Sequence, residues 1–286
     1  MTSTNNEELV KRFAKLAKQN QELEEHIRKL EKINEKLTRD VEKYKSAGAK
    51  PAEPGREERE GEKKEKSLKF NMATVLFADI HGFSKLVEGM ESSAVMDELD
   101  VILLEFDAIV TRYKIEKIKT IGDTYMCAGG IPVKNITNPI DVVMAAMEMR
   151  NFLENFELGK RGHDKRIWDL KIGIHTGPVT AEISGKKKVN YDIKGDTVNT
   201  ASRIEAVSEK GTILISVMTY ELVKEFFDCG YFGKLPVKYK GDLQMYEVEG
   251  LKMEFSRDGD GKSSNEAFII KFGLIQFTDI QEIILD

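Results

Sequence analysis

The stretch Ala73-Thr74-Val75-Leu76-Phe77-Ala78-Asp79-Ile80-His81-Gly82-Phe83-Ser84 decides how this chain is read. Thr74 to Phe77 are β-branched, aliphatic and aromatic, the composition of a strand buried on both faces. Asp79 arrives where such a strand is expected to stop, Gly82 permits a tight turn, and Phe83-Ser84 open a helix. The carboxylate then has two uses. Capping the helix is the commoner one, and these residues alone favour it. The other is to hold a divalent cation beside a phosphate seated on the free amides of the turn. That use requires a second carboxylate from elsewhere in the chain.

Downstream, Ser92 to Tyr113 carries Val95, Leu99, Ile102, Phe106, Ile109 and Val110 at helical spacing. Ile115 to Ile121 reads as a strand whose alternation leaves Lys117 and Lys119 on one face. Gly122-Asp123 is a hairpin turn and Thr124 to Ala128 the returning strand, so Asp123 stands at a hairpin tip. Ile140 to Phe156 reads as a second helix. Leu170 to Gly177 reads as a strand ending in a turn, answered by Pro178 to Ile183 as the next strand. After a basic Lys186-Lys187-Lys188 loop, Asp196 is the expected N-cap of a helix that sets Asn199 and Arg203 four residues apart on one face. Thr212 to Ser216 is a short strand, Val217 to Phe227 a helix, and Val237 to Leu243 leads into a last hairpin.

Strand, helix, hairpin, helix, strand is the opening of a ferredoxin-like βαββαβ unit, which predicts an α+β domain. In that unit the first strand and the central hairpin are neighbours, so Asp79 and Asp123 converge. Two carboxylates beside a glycine turn outweigh the capping role. Hard oxygen ligands next to a phosphate-binding turn suit Mg²⁺ or Mn²⁺ chemistry on a nucleotide.

Upstream lies a heptad. Leu9, Leu16, Leu23, Leu30 and Leu37 recur every seven residues, with Phe13, Asn20, Ile27, Asn34 and Val41 four positions after each. Residues 1–45 therefore read as a parallel, dimeric coiled-coil helix whose buried asparagines fix the register. A single amphipathic helix folded onto the domain would call for a wider apolar stripe. Residues 46–68, with Pro51, Pro54 and a dense run of Glu, Lys and Arg, read as a charged linker. Residues 69–252 form the globular domain and 253–286 an extension with no assigned role. Within that extension Asp258-Gly259-Asp260-Gly261 outlines a calcium loop, but Ala267 occupies the place of its bidentate acid, which excludes it. Phe268 to Leu285 is too apolar to stand in solvent and is expected to pack on the domain or on a partner.

Composition narrows the rest. A net charge of -5 over 286 residues offers no basic footprint for nucleic acid. The cysteines, Cys127 and Cys229, are too few for a disulfide framework and fit a reducing compartment. The four histidines show no zinc spacing. No apolar run reaches membrane-spanning length and the polar N-terminus is not a signal peptide, so a cytoplasmic location is expected.

Phe77-Ala78-Asp79-Ile80-His81-Gly82-Phe83-Ser84, Lys119-Thr120-Ile121-Gly122-Asp123-Thr124-Tyr125-Met126 and Tyr191-Asp192 through Arg203 resemble the motifs of the class III nucleotidyl cyclases, in the family's order. The resemblance covers about residues 70 to 250. It implies that Asp79 and Asp123, with the Ile80 carbonyl, bind two divalent cations (Mg²⁺ or Mn²⁺), and that Gly82, Phe83 and Ser84 cradle phosphates. It further implies that Asn199 orients the ribose and Arg203 neutralises charge on the α-phosphate. The resemblance places the phosphate-binding lysine at Lys238 or Lys240, with Tyr239 where the family often has glycine. Lys119 and Asp192 match the base-selecting pair of adenylate cyclases, where guanylate cyclases usually carry Glu and Cys. The expected activity is an adenylate cyclase turning ATP into cyclic AMP and pyrophosphate. The expected assembly is a homodimer with shared sites, joined through its coiled coil and its catalytic domains. A regulatory domain upstream or downstream is allowed for. The alternatives are a guanylate or purine-tolerant cyclase, or a catalytically inactive nucleotide-binding signalling module.

Overall fold

The structure is a computed structural model, and it describes residues 67–81, 92–161, 168–184, 190–237 and 241–285. The expected coiled coil, all but the last two residues of the expected linker, the turn residues Gly82, Phe83 and Ser84, and the lysines Lys238 and Lys240 lie outside the described residues.

Strand β1, Ser67–His81, is an interior strand of the sheet, flanked by the strands Thr124–Gly129 and Asp169–Ser184. Its residues from Ala73 to Ala78 are buried on both faces, as their composition predicts. The strand begins inside the stretch read as linker. It also does not stop at Asp79, as the sequence suggested, but runs on to His81. Both of its edges remain paired there: Asp79 stands opposite Thr124 on one side and Lys171 on the other. A residue held in two ladders is not a helix cap.

The remaining strands are β2 Glu116–Ile121, β3 Thr124–Gly129, β4 Asp169–Ser184, β5 Asn190–Lys194, β6 Ile213–Ser216, β7 Phe227–Val237 and β8 Gly241–Leu251. The helices are α1 Ser92–Arg112, α2 Asn138–Arg161, α3 Asp196–Val207, α4 Val217–Val223 and α5 Glu266–Leu285. The sheet order is β2-β3-β1-β4-β6-β8-β7, with β5 paired to β4. The antiparallel quartet β2-β3-β1-β4 with α1 and α2 is the expected ferredoxin-like arrangement of a mixed α+β domain. Val95, Leu99, Ile102, Phe106 and Ile109 of α1 meet Val142, Val143, Ala146 and Met149 of α2 in the main apolar core.

Three elements differ from expectation. The two strands expected around Gly177-Pro178 are one strand, β4, which passes straight through both residues. An irregularity in β1 between Phe70 and Ala73 takes up the offset, so β4 pairs with β1 on either side of Pro178, which has no N–H to donate. Helix α4 ends at Val223 rather than 227, because Phe227 is already opposite Leu251 in the β7–β8 ladder. Asp196 is the first residue of α3 rather than its cap; Gly195 takes that place with φ of 138°, which a glycine adopts without strain.

A buried chain of hydrogen bonds crosses this scaffold. Thr74 Oγ1 donates to Asn138 Oδ1 at 2.6 Å and lies 3.0 Å from Thr176 Oγ1, which is itself 3.0 Å from Thr219 Oγ1. Thr219 Oγ1 is 3.2 Å from Ser216 Oγ, and Ser216 Oγ is 2.7 Å from His175 Nδ1. Each hydroxyl is taken out of water but keeps partners, so the run is stabilising only while complete. Thr219→Val keeps the shape and cuts the chain in its middle. It is expected to lower unfolding free energy by about 1–3 kcal/mol, read as a lower urea midpoint; an unchanged midpoint refutes the account.

The C-terminal extension does pack on the domain. Phe268 is buried against Phe226 and Phe255, and Phe272 and Ile275 continue that face of α5, while Ile269, Ile270 and Leu274 are exposed. Asp260 shapes the preceding turn: its Oδ1 accepts from the Ser263 and Lys262 amides and from Ser256 Oγ, which holds its carboxyl down at about 2.

Candidate active site

The β2–β3 turn lies against the far end of β1. Gly122, at φ 63°, lets the turn close in two residues, and the Ile80 amide donates to the Asp123 carbonyl at 3.1 Å. Thr124 Oγ1 donates to Asp79 Oδ1 at 3.0 Å, fixing that side chain. Asp79 and Asp123, more than forty residues apart in sequence, thus stand together as the topology predicts.

His81 joins them. Residues two apart on a strand share a face, and His81 Nδ1 sits 3.1 Å from Asp79 Oδ2. One donor atom from each of Asp79, His81 and Asp123 lies within 4.8 Å of the other two, and all three side chains are half-buried. Two carboxylates and adjacent main chain are a donor set that fits a divalent cation.

A third carboxyl is close by. Helix α3 lies directly on β4: a Cβ on Gly173 would fall 2.1 Å from the Glu205 amide nitrogen. Burial pushes the Glu205 carboxyl up to about 7. The charge of Asp79 pushes the same way, Lys171 opposes, and Asp123 adds a little more. Sequence reasoning assigned neither His81 nor Glu205. His81 could have been found from strand alternation once β1 was known to continue. Glu205 is visible only after α3 docks on Gly173.

The other expected residues fall into two further sets. Lys119 of β2 and Asp192 of β5 form an ion pair at 2.8 Å, brought together because β5 folds back along β4. They line a cavity of about 620 Å³ with Ile118 and Tyr191, and neither Asp79 nor Asp123 borders it. Asn199 and Arg203 stand exposed one turn apart on α3. The buried face of that helix is Thr197, Thr200, Ala201 and Ile204, so its packing presents the polar pair outward. Thr197 Oγ1 donates to the Pro178 carbonyl at 2.6 Å and anchors the helix start to β4. No helix among the described residues is long and apolar enough to cross a membrane.

A family profile described as the adenylate and guanylate cyclase catalytic domain matches residues 65–250. The receptor-type guanylate cyclase gcy-8 of Caenorhabditis elegans is 36% identical over 198 residues, which is 68% of this chain and 17% of that protein; the chain thus spans only a small part of such relatives. Among solved structures, the adenylyl cyclase CyaB from P. aeruginosa is 31% identical with a TM-score of 0.60, covering 68% of this chain and all of that one (100%). The catalytic core of a rhodopsin-guanylyl cyclase with converted specificity, in complex with ATPalphaS, is 34% identical with a TM-score of 0.57, covering 64% and 97%.

Proposed function

The chain belongs to the adenylate and guanylate cyclase catalytic domain family, and from that membership we propose that it is an adenylate cyclase converting ATP to cyclic AMP and pyrophosphate. The observation that carries the choice of base is the Lys119–Asp192 pair. A lysine donates to the N1 acceptor of adenine, and an aspartate accepts from the 6-amino group. Guanine presents an N1–H donor and an O6 acceptor, the reverse pattern, and would leave both groups mismatched. A second reading, guanylate cyclase, is favoured by the names that curated relatives carry.

In the proposed mechanism the Asp79 and Asp123 carboxylates would hold two divalent cations, with the Ile80 carbonyl assisting. When bound, these ions supply Lewis acidity to the ribose 3′-hydroxyl and the triphosphate. The amides of Gly82 and Phe83 and the Ser84 hydroxyl cradle the phosphates. Asn199 orients the ribose. Its 3′-oxygen attacks the α-phosphorus, the bond from that phosphorus to the bridging oxygen breaks, and pyrophosphate carries the electron pair away while the hydroxyl proton passes to solvent. Arg203 faces the charge that grows on the α-phosphate, and Lys238 or Lys240 holds the departing phosphates.

Because the carboxylate set and the base-selecting set border different places in one chain, we assign the complete site to a homodimer. One copy supplies Asp79 and Asp123 and the other supplies Lys119, Asp192, Asn199 and Arg203. The N-terminal heptad would raise the effective concentration of the two. The direct test is purified protein with Mg²⁺ or Mn²⁺ and either ATP or GTP. Cyclic AMP in excess supports the reading, cyclic GMP in excess overturns the base assignment, and no cyclic product with either nucleotide overturns the enzyme. A mixing experiment tests the sharing. Asp79→Ala and Arg203→Ala are each expected to be inactive. Their mixture should recover up to about a quarter of normal activity, since half the random dimers keep one of two symmetric sites. A mixture that stays inactive while heterodimers form rules out the shared site.

A further inference from the structure

We propose that His81 is a nitrogen ligand of the Asp79–Asp123 metal site, and that it makes this site favour the later first-row transition ions, such as Co²⁺, over Mg²⁺. The inference rests on the metal-binding role proposed for the two aspartates, and it adds a donor of a different kind.

The placement is built by the strand rather than by chance contact at the surface. β1 carries Asp79 and His81 on one face, paired on β4 with Lys171 and Asp169. Asp169 is drawn off by Lys210, whose Nζ is 2.6 Å from its Oδ2. The imidazole turns instead toward the aspartates, with Nδ1 3.1 Å from Asp79 Oδ2. Ligands on opposite sides of one ion with bonds of about 2.1 Å are about 4.2 Å apart. Donor atoms of Asp79, His81 and Asp123 already fall within 4.8 Å of one another, so a small contraction closes them on a single ion.

The chemistry follows from the donor. Carboxylate and carbonyl oxygens suit Mg²⁺, Ca²⁺ and Mn²⁺, whereas imidazole suits the later first-row ions. Mg²⁺ is also reluctant to give up water for any protein ligand. One imidazole among oxygens therefore strengthens binding of an ion such as Co²⁺ and does little for Mg²⁺. If His81 were only an ion-pair partner of Asp79, removing it would free a carboxylate oxygen, and every metal would bind as well or better.

The test is metal binding to the full chain without nucleotide, by calorimetry, using Co²⁺ and Mg²⁺ as probes. His81→Ala is expected to weaken Co²⁺ about tenfold or more, and Mg²⁺ by less than about threefold. In the unsubstituted protein, Co²⁺ should shift the His81 ring protons far outside their normal NMR range. His81→Gln, which offers oxygen in place of ring nitrogen, should lose the Co²⁺ preference and keep Mg²⁺ binding. Equal loss or equal gain for both metals in His81→Ala overturns the proposal, as do unshifted His81 ring protons at saturating Co²⁺. A chain that binds Co²⁺ through His81 but forms no cyclic product overturns the cyclase reading alone.

Discussion

Asp79→Asn is expected to lower the rate of cyclic product formation by about a thousandfold or more, a loss near 4 kcal/mol of transition-state stabilisation. The substitution removes one negative charge and one ligand oxygen from the place where both metal ions are proposed to sit. It leaves the rest of the local structure its partners. Strand pairing at this position does not depend on the side chain, because the β1 backbone here is held by β3 and β4 together. An amide oxygen can still accept from Thr124 Oγ1, which reaches Asp79 at 3.0 Å. The fold should therefore survive, with a thermal midpoint close to the parent in metal-free buffer. A second readout separates this from trivial damage. Glu205 is pushed up to about 7 by burial first and by the charge of Asp79 next. Removing that charge should bring the Glu205 titration down, seen by carboxyl-selective NMR. A variant that retains activity within tenfold, or a Glu205 midpoint that does not move, contradicts the arrangement.

The parts of this arrangement that could be read in advance are those set by local periodicity and by one topological rule. Thr74 to Phe77 announce a buried strand, and Gly122-Asp123 between two apolar alternations announces a hairpin. The ferredoxin-like order then makes the two acids neighbours, as they are. What was not legible depends on pairing between distant segments. Nothing in Leu170 to Ile183 says that Gly177-Pro178 continues a strand, because the offset that permits it lies in β1 at Phe70 and Ala73. Strand β5 is five residues long, too short to show a period, yet it carries Asp192 to Lys119. Gly195 rather than Asp196 caps α3 because the chain leaves β5 through a φ of 138°, which suits glycine and is invisible until β5 is placed. The ring of His81 meets Asp79 by strand alternation that shows only once β1 is known to run past Asp79, whereas the carboxyl of Glu205 comes under the charge of the acids only through the docking of α3 on β4.

The other large effect concerns the base. Lys119→Glu with Asp192→Cys is expected to shift the ratio of kcat/KM for ATP over GTP toward GTP by roughly thirtyfold to twenty-thousandfold. The estimate takes about 1–3 kcal/mol for each polar group left facing the wrong partner in a water-excluded site, at two positions. The side chains in question are about half exposed in the single chain, so their mutual ion pair is worth little to folding. Their effect should appear in discrimination and leave the unfolding midpoint nearly unchanged. Lys119→Glu alone puts two carboxylates side by side at the former 2.8 Å contact and removes the N1 donor, so it should depress turnover of both nucleotides. Asp192→Cys then relieves the repulsion and withdraws the acceptor that guanine cannot use, and only the double substitution should recover activity, now on GTP. The two steps must therefore be non-additive, with the double variant more active on GTP than either single one. If the parent chain already turns over GTP faster than ATP, the pair does not select adenine and the guanylate reading of the chain's relatives takes its place. If instead the parent prefers ATP and the double variant keeps that preference, the base is chosen elsewhere, and the 620 Å³ cavity beside Ile118 and Tyr191 is not where it binds.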